Sequence, residues 1–270
     1  MYSFNIILTN LCNAHCSHCY MKTNENPKTL SFEKIDLLVD KLPINTKTIV
    51  ITGGEIFTAS SELEYFLNKI NNKFNRIQIG LESNGIYLYT HNALEILKHL
   101  KELNVDFIRF SDDPFHETGG VDLYKARKLK ELESNDTPKI KYLVQTKALS
   151  IGKAEQLKEE EKSKPCCMNT KDSEKNPYIF MDITGDMYLC AWKSGKKVGN
   201  IFTDNFLKIE ENLNEKVNHC ILTGNILDAI SIYTNDNREI VKNNIDAIGE
   251  CNACIKAFIK RPTIYKSSLK

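Results

Sequence analysis

The sequence has no charge bias: Lys and Arg total 36 against 35 Asp and Glu, a net charge of +1. That balance gives no argument for a nucleic-acid partner or an anionic membrane surface. It has no apolar run long enough to span a bilayer. Its start, Met1-Tyr2-Ser3-Phe4, lacks the basic segment and apolar core of a signal peptide. A cytoplasmic protein is expected. Tryptophan is nearly absent, and the one residue, Trp192, reads as a core anchor before a stacking platform. A complete scheme of disulfides is excluded because the 9 cysteines are an odd number. Without a secretion signal they read as metal ligands. The 270 residues suffice for one large domain, or a domain with an appendage.

What the chain does have is concentrated near its start. Cys12, Cys16 and Cys19 form a C-x3-C-x2-C run, and Tyr20 follows directly. Three thiolates on one loop can hold three irons of a [4Fe-4S] cluster and leave the fourth iron open to a small molecule. The competing use is a zinc site with His15 or His18 as fourth ligand. Zinc favours C-x2-C pairs drawn from two places and a closed set of four. Both histidines are hemmed in by the cysteines, so the iron–sulfur reading is preferred.

The apolar run Phe4-Asn5-Ile6-Ile7-Leu8 leads into this loop as a strand of about 3–9. A helix is expected from Ser31, a plausible N-cap, to Lys41. A strand over 47–52 ends in Gly53-Gly54-Glu55. A helix follows over about 60–72, with Leu63, Phe66, Leu67 and Ile70 at helical spacing. Then come a strand over 76–82, ending in Glu82-Ser83-Asn84-Gly85, a helix over 91–103, and a strand over 106–110. A helix over 121–133 and a strand over 140–144 complete the series. This alternation predicts a parallel sheet with helices outside, and ligand-binding loops at the C-terminal ends of its strands.

With the cysteine loop after strand one, Gly-Gly-Glu after strand two and polar residues after strand three, the chain resembles the radical S-adenosylmethionine (radical SAM) superfamily. The resemblance implies an α/β fold: a partial (β/α)6 TIM-type barrel over residues 1–165, of which five units are evident here. The charged segment 151–165 stands where a sixth would be. It also implies a [4Fe-4S] cluster on Cys12, Cys16 and Cys19, and SAM bound to its open iron. Tyr20 belongs to the same cofactor loop. Gly53 and Gly54 would let backbone approach the methionine end of SAM without a Cβ in the way, and Glu55 would accept from its ammonium group. Ser83 and Asn84 would hydrogen-bond the ribose hydroxyls, although a Ser-Asn-Gly turn explains them nearly as well. After strand four, Ser111 or Asp112 would face SAM or substrate. His116 is a candidate acid–base group, against the commoner structural role of a loop histidine.

From about residue 166 the pattern changes. Cys166-Cys167 precede a hairpin pattern, Tyr178–Ile183 and Met187–Cys190 about a Thr-Gly-Asp turn. Val198-Gly199-Asn200-Ile201 and Cys251-Asn252-Ala253-Cys254 follow. This resembles the SPASM and twitch extensions of radical SAM enzymes. The absence of cysteine after Cys254 favours the shorter twitch form: a small α+β domain over 166–270 with a second, auxiliary [4Fe-4S] cluster. Its ligands would be Cys167 (or Cys166), Cys190, Cys251 and Cys254. A zinc staple on the same cysteines is the alternative, and Cys220 reads as a small buried hydrophobe.

The activity implied is reductive cleavage of SAM to a 5′-deoxyadenosyl radical that takes hydrogen from a substrate. A ribosomally made peptide or protein is the first expectation, with oxidative cross-linking or bond formation as the outcome. A nucleotide, sugar or other metabolite is the second, and a non-catalytic iron–sulfur or zinc protein the third. An electron donor such as flavodoxin or ferredoxin is implied. Strand one begins near residue 3, so a leader-peptide recognition function would be expected from a separate protein.

Overall fold

The computed structural model describes residues 1–21, 26–144, 153, 157, 176–191 and 197–259. Its centre is one sheet of eight strands in the order β5-β4-β3-β2-β1-β6-β7-β8. The strands are β1 (Tyr2–Thr9), β2 (Thr46–Gly53), β3 (Gln78–Ser83), β4 (Phe107–Ser111), β5 (Lys139–Leu143), β6 (Tyr178–Met181), β7 (Asp186–Tyr188) and β8 (Gly199–Asn200). Neighbours from β5 through β1 to β6 run parallel, and β7 and β8 are antiparallel. The α/β class and the parallel-dominated sheet are as expected, and the barrel is not closed.

Alternate residues of each strand face opposite sides of the sheet, and the polar strand residues are gathered on one side. One carries Phe4, Ile6, Leu8, Ile49, Ile51, Ile79, Leu81, Ile108, Phe110 and Ile140, all in the main core. Against it lie the first two helices, α1 (Phe32–Lys41) and α2 (Ser60–Lys73), through Ile35, Leu38, Leu63, Phe66 and Ile70. Each such side chain, removed from water, contributes about 1.5–3 kcal/mol. Ser31 caps α1 by accepting from the Lys34 N–H at 3.4 Å. The other face carries Asn5, Thr52, Glu82, Arg109 and Ser111, and that face lines a cavity.

The remaining helices of this half are α3 (Ile86–Thr90), α4 (Ala93–Glu102), α5 (Pro114–Thr118) and α6 (Leu123–Lys128). The short α3 and α5 were not anticipated. Each begins at a strand-end turn, where Asn84 and Asp113 bond the following backbone N–H groups.

The sixth parallel strand is not where the sequence reading looked for it. Tyr178–Met181, expected as the first arm of a hairpin in a separate extension, pairs parallel with β1. It also starts that hairpin, with β7. The sheet therefore continues across the expected boundary at 165/166, because Ile179 and Met181 supply an apolar face in phase with Phe4 and Ile6. Five helices follow: α7 (Phe206–Leu213), α8 (Lys216–Leu222), α9 (Ile226–Thr234), α10 (Arg238–Ile248) and α11 (Glu250–Cys254). The Lys41 ammonium donates to the Phe202 and Asp204 carbonyls, both at 3.0 Å, and ties α1 to this part. Cys166, Cys167, Trp192 and nearly all of 151–165 lie outside the described residues.

Candidate active site

A cavity of about 410 Å³ opens at the C-terminal ends of the parallel strands. That is within the usual range for a small-molecule site. Cys12, Cys16 and Cys19 lie together on its wall, on the loop that leaves β1. Burial, then the neighbouring Cys12 and Cys19, push the Cys16 thiol up to about 12. Burial likewise raises Cys12. Three thiolates this close need a strong positive charge among them, and an iron–sulfur cluster supplies it. The donor set fits the cluster that the spacing implied.

The loop is held by contacts that only glycine permits. A Cβ on Gly54 would lie 2.1 Å from the Leu11 carbonyl oxygen, and one on Gly53 would lie 2.3 Å from that of Thr9. Gly54 N–H donates to Thr9 O at 2.8 Å and Glu55 N–H to Leu11 O at 2.7 Å. The two glycines therefore let the cysteine loop close onto β2, and both also line the cavity. On the far side, Gly119 presses on Cys16: a Cβ there would stand 2.7 Å from the Cys16 sulfur.

Glu55, the expected acceptor for the SAM ammonium group, lies just past the end of β2. Its side chain is 0% exposed and is not among the cavity-lining residues. Its carboxylate accepts from Ser83 Oγ (2.9 Å), the Asn84 N–H (2.8 Å) and the Phe57 N–H (3.3 Å). It ties the end of β2 to the end of β3. Burial raises its pKa to about 7, against the pull of the bonds from Asn84, Ser83 and Phe57.

Ser83 and Asn84 both line the cavity, but their side chains already have partners. Ser83 Oγ accepts from the Gly85 N–H at 3.0 Å. Asn84 Nδ2 donates to Asn13 Oδ1 at 2.8 Å and approaches Cys12 Sγ at 3.8 Å. Asn84 thus braces the cysteine loop. Ser111, at the end of β4, lines the cavity.

Asp112 does not face it. Its carboxylate is taken by Arg127, with Nε at 2.9 Å and Nη2 at 2.7 Å, and its N–H donates to Leu143 O. The next residue, Asp113, stands in the cavity wall instead, 3% exposed, because it is the N-cap of α5. His116 also lines the cavity, and its Nδ1 donates to Asp113 Oδ2 at 2.8 Å. Burial opposes the Asp113 charge, but the bond and charge of His116 outweigh it and hold the carboxyl below its ordinary value. His18, beside His116, is lowered to about 4 by burial and then by the His116 charge.

Asn5, Glu82 and Arg109 were missed. They lie deeper on the cavity-facing side of the sheet, and Arg109 Nη2 meets Glu82 Oε1 at 2.8 Å. Polar residues at alternate positions inside apolar strands were the available signal.

Tyr20 lines the cavity and packs against Cys251 and Ile255 of the C-terminal helices. Burial, then the Glu82, Cys19 and Cys190 charges, raise its phenol. Cys190 and Tyr20 share a small adjoining hollow. Thus Cys190 and Cys251 both come to Tyr20, whereas Cys254 packs among Ile226, Ile230 and Val241.

Comparison with known proteins agrees with this geometry. The Radical SAM superfamily description matches residues 6–127. The 7,8-dihydro-6-hydroxymethylpterin dimethyltransferase of Methanocaldococcus jannaschii is 31% identical over 126 residues. That match covers 44% of this chain but only 24% of the relative. Among solved structures, anSMEcpe with bound AdoMet superposes with TM-score 0.58 at 14% identity, over 93% of this chain and 89% of its own. BtrN in complex with AdoMet and 2-DOIA superposes with TM-score 0.55 at 16% identity, over 84% and 89%. These two share the fold.

Proposed function

We propose that this protein is a radical SAM enzyme that generates a 5′-deoxyadenosyl radical and uses it to take a hydrogen atom from a substrate held in the cavity. The observation that carries the reading is the convergence of Cys12, Cys16 and Cys19 on the wall of one cavity, closed onto Gly53 and Gly54 at the strand ends. Cys12, Cys16 and Cys19 would hold a [4Fe-4S] cluster, and that group would supply the one electron needed for reductive cleavage of SAM to methionine and the radical. The chain itself braces the loop through Asn84 and Gly119, lines the cavity with apolar Phe180 and Ala14, and offers polar groups to the substrate from Ser111, Glu82 and Arg109. The electron would come from a flavodoxin- or ferredoxin-type donor.

A ribosomally made peptide or protein is the proposed substrate, oxidised by cross-linking or bond formation. The fold is shared with anSMEcpe, which has been solved with a bound peptide. A small metabolite is the second reading, favoured by the equal likeness to BtrN, solved with 2-DOIA. The auxiliary cluster on Cys167 or Cys166, Cys190, Cys251 and Cys254 is part of the same proposal. Cys190 and Cys251 meeting at Tyr20 support it.

The test is anaerobic incubation of the reconstituted, reduced protein with SAM. 5′-Deoxyadenosine is expected, and it should vanish in Cys16→Ala. Retention of an intact cluster without any SAM cleavage would leave the non-catalytic iron–sulfur reading.

A further inference from the structure

Beside the cysteine loop, Cys16, His18 and His116 each bring a ligand atom to within 4.8 Å of the others. The three come from two places: the loop after β1, and α5 after β4. Their rings are packed in place. His18 stacks on Phe115 with centroids 4.9 Å apart and meets His116 edge-on at 4.7 Å. His116 gives its Nδ1–H to Asp113, so the lone pair of the neutral ring lies at Nε2. A buried carboxylate that takes one ring N–H and fixes the tautomer is the usual support of a metal-binding imidazole. Asp113 is itself fixed, accepting from the Phe115 and His116 N–H groups. Nδ1 of His18 is buried with no hydrogen-bond partner among the described residues. A buried polar atom in that condition calls for an explanation, and a bound ion provides one.

We propose that Cys16, His18 and His116 form a binding site for a zinc-class divalent cation in the cluster-free protein, with a fourth position open to the cavity and Asp113 orienting His116. One thiolate and two imidazoles suit zinc and its tetrahedral stand-in cobalt. Metal–ligand lengths of about 2.0–2.3 Å place tetrahedral ligand atoms roughly 3.5 Å apart. The three atoms therefore close by about 1 Å on binding, a side-chain rotation for a loop residue. Binding releases the Cys16 thiol proton and changes no oxidation state. Because Cys16 also belongs to the three-cysteine set, this ion and a four-iron cluster compete for one thiolate. The site makes cluster loading sensitive to the divalent metal that arrives first. It needs only three side chains and stands whether or not the protein cleaves SAM.

The experiment titrates the anaerobic, cluster-free full-length chain with Co²⁺ alone. The signal is the difference between the wild-type and Cys16→Ala chains, which removes any cobalt held by the C-terminal cysteines. One equivalent should bind with tetrahedral visible bands and the charge-transfer intensity of a single thiolate. The same difference should persist when Cys12 and Cys19 are both alanine. His116→Ala should abolish it. Asp113→Asn, which keeps an N-cap acceptor, should weaken binding about 10–100-fold. His18→Gln serves as the second ligand variant where His116→Ala disturbs folding. Zinc should displace the cobalt, and cluster-loaded protein should take up none at this site. A difference signal with the intensity of three thiolates, lost in the Cys12, Cys19 variant and indifferent to His116→Ala, would overturn the proposal. So would weak, octahedral cobalt with no thiolate band.

Discussion

Neighbouring carboxylates along this chain do different work, and burial decides which. Glu55 is enclosed and accepts from three protein donors. Its pKa of about 7 lies above the ordinary carboxylate value, so the folded state binds the extra proton. Stability from this group is therefore complete below about pH 4.5 and is lost as pH rises to about 7, by up to about 3 kcal/mol. In thermal melts of the cluster-free chain, Glu55→Gln should flatten the pH dependence across that window. An unchanged slope would place the titration elsewhere. Glu55→Ala leaves the Ser83 and Asn84 donors unsatisfied and should cost about 1–3 kcal/mol for each. Asp112 is the contrasting case. Its partner Arg127 is exposed, so solvent screens the pair and it adds little to stability. Asp112→Asn should leave 5′-deoxyadenosine formation within about twofold, since an exposed pair outside the cavity moves little. A tenfold loss would return Asp112 to the chemistry. Asp113 and Asp112 are adjacent and alike in sequence. Only the cap of α5 turns one inward, and the Pro114 that follows was the legible hint.

At the scale of elements, the site is made by a loop pressed between two strand ends and one short helix. Gly54 and Gly119 are two of its tightest contact points. Gly119→Ala should displace Cys16 and lower bound iron by more than half, with helix and strand content retained. Gly120→Ala is the control. Its φ of 99° penalises alanine, yet nothing lies within 4 Å of the new Cβ. It should cost about 1 kcal/mol in stability and leave iron binding intact. Iron content and circular dichroism on the same samples separate the two. Equal iron loss in both would mean that backbone strain, not contact with Cys16, governs the loop. The strand and helix order from β1 to β5 was legible because each element shows its own period of apolar residues. The short α3 and α5 were not, since five residues are too few to display a helical period. The helices α7–α11 were not anticipated either.

At the scale of the whole molecule, one sheet joins the two halves, and Tyr20 stands between the two groups of cysteines. Reconstituted protein should hold about eight irons per chain if both groups carry four-iron clusters. Replacing Cys12, Cys16 and Cys19 together by alanine should leave about four. Four irons with one zinc in the wild-type protein would identify the C-terminal cysteines as a zinc staple. A Cys190→Ala, Cys254→Ala double variant should still cleave SAM to 5′-deoxyadenosine but form no product. Full product formation would remove the auxiliary site from the chemistry. Among the described residues no helix is long and apolar enough to cross a membrane.

The sequence by itself determined the cysteine loop, the strands that carry it and the glycines beside it. These are local features: spacing, period and the absence of a Cβ. Tertiary structure alone decided what each glycine and carboxylate faces. Gly53 and Gly54 admit the cysteine loop itself, Glu55 binds β3, and Asp113 displaces Asp112 from the cavity. It also placed Tyr178–Met181 beside β1, a pairing across more than half the chain. Such a pairing follows from which apolar faces meet in space. No local pattern records it, because many strands with the same alternation would fit the same edge.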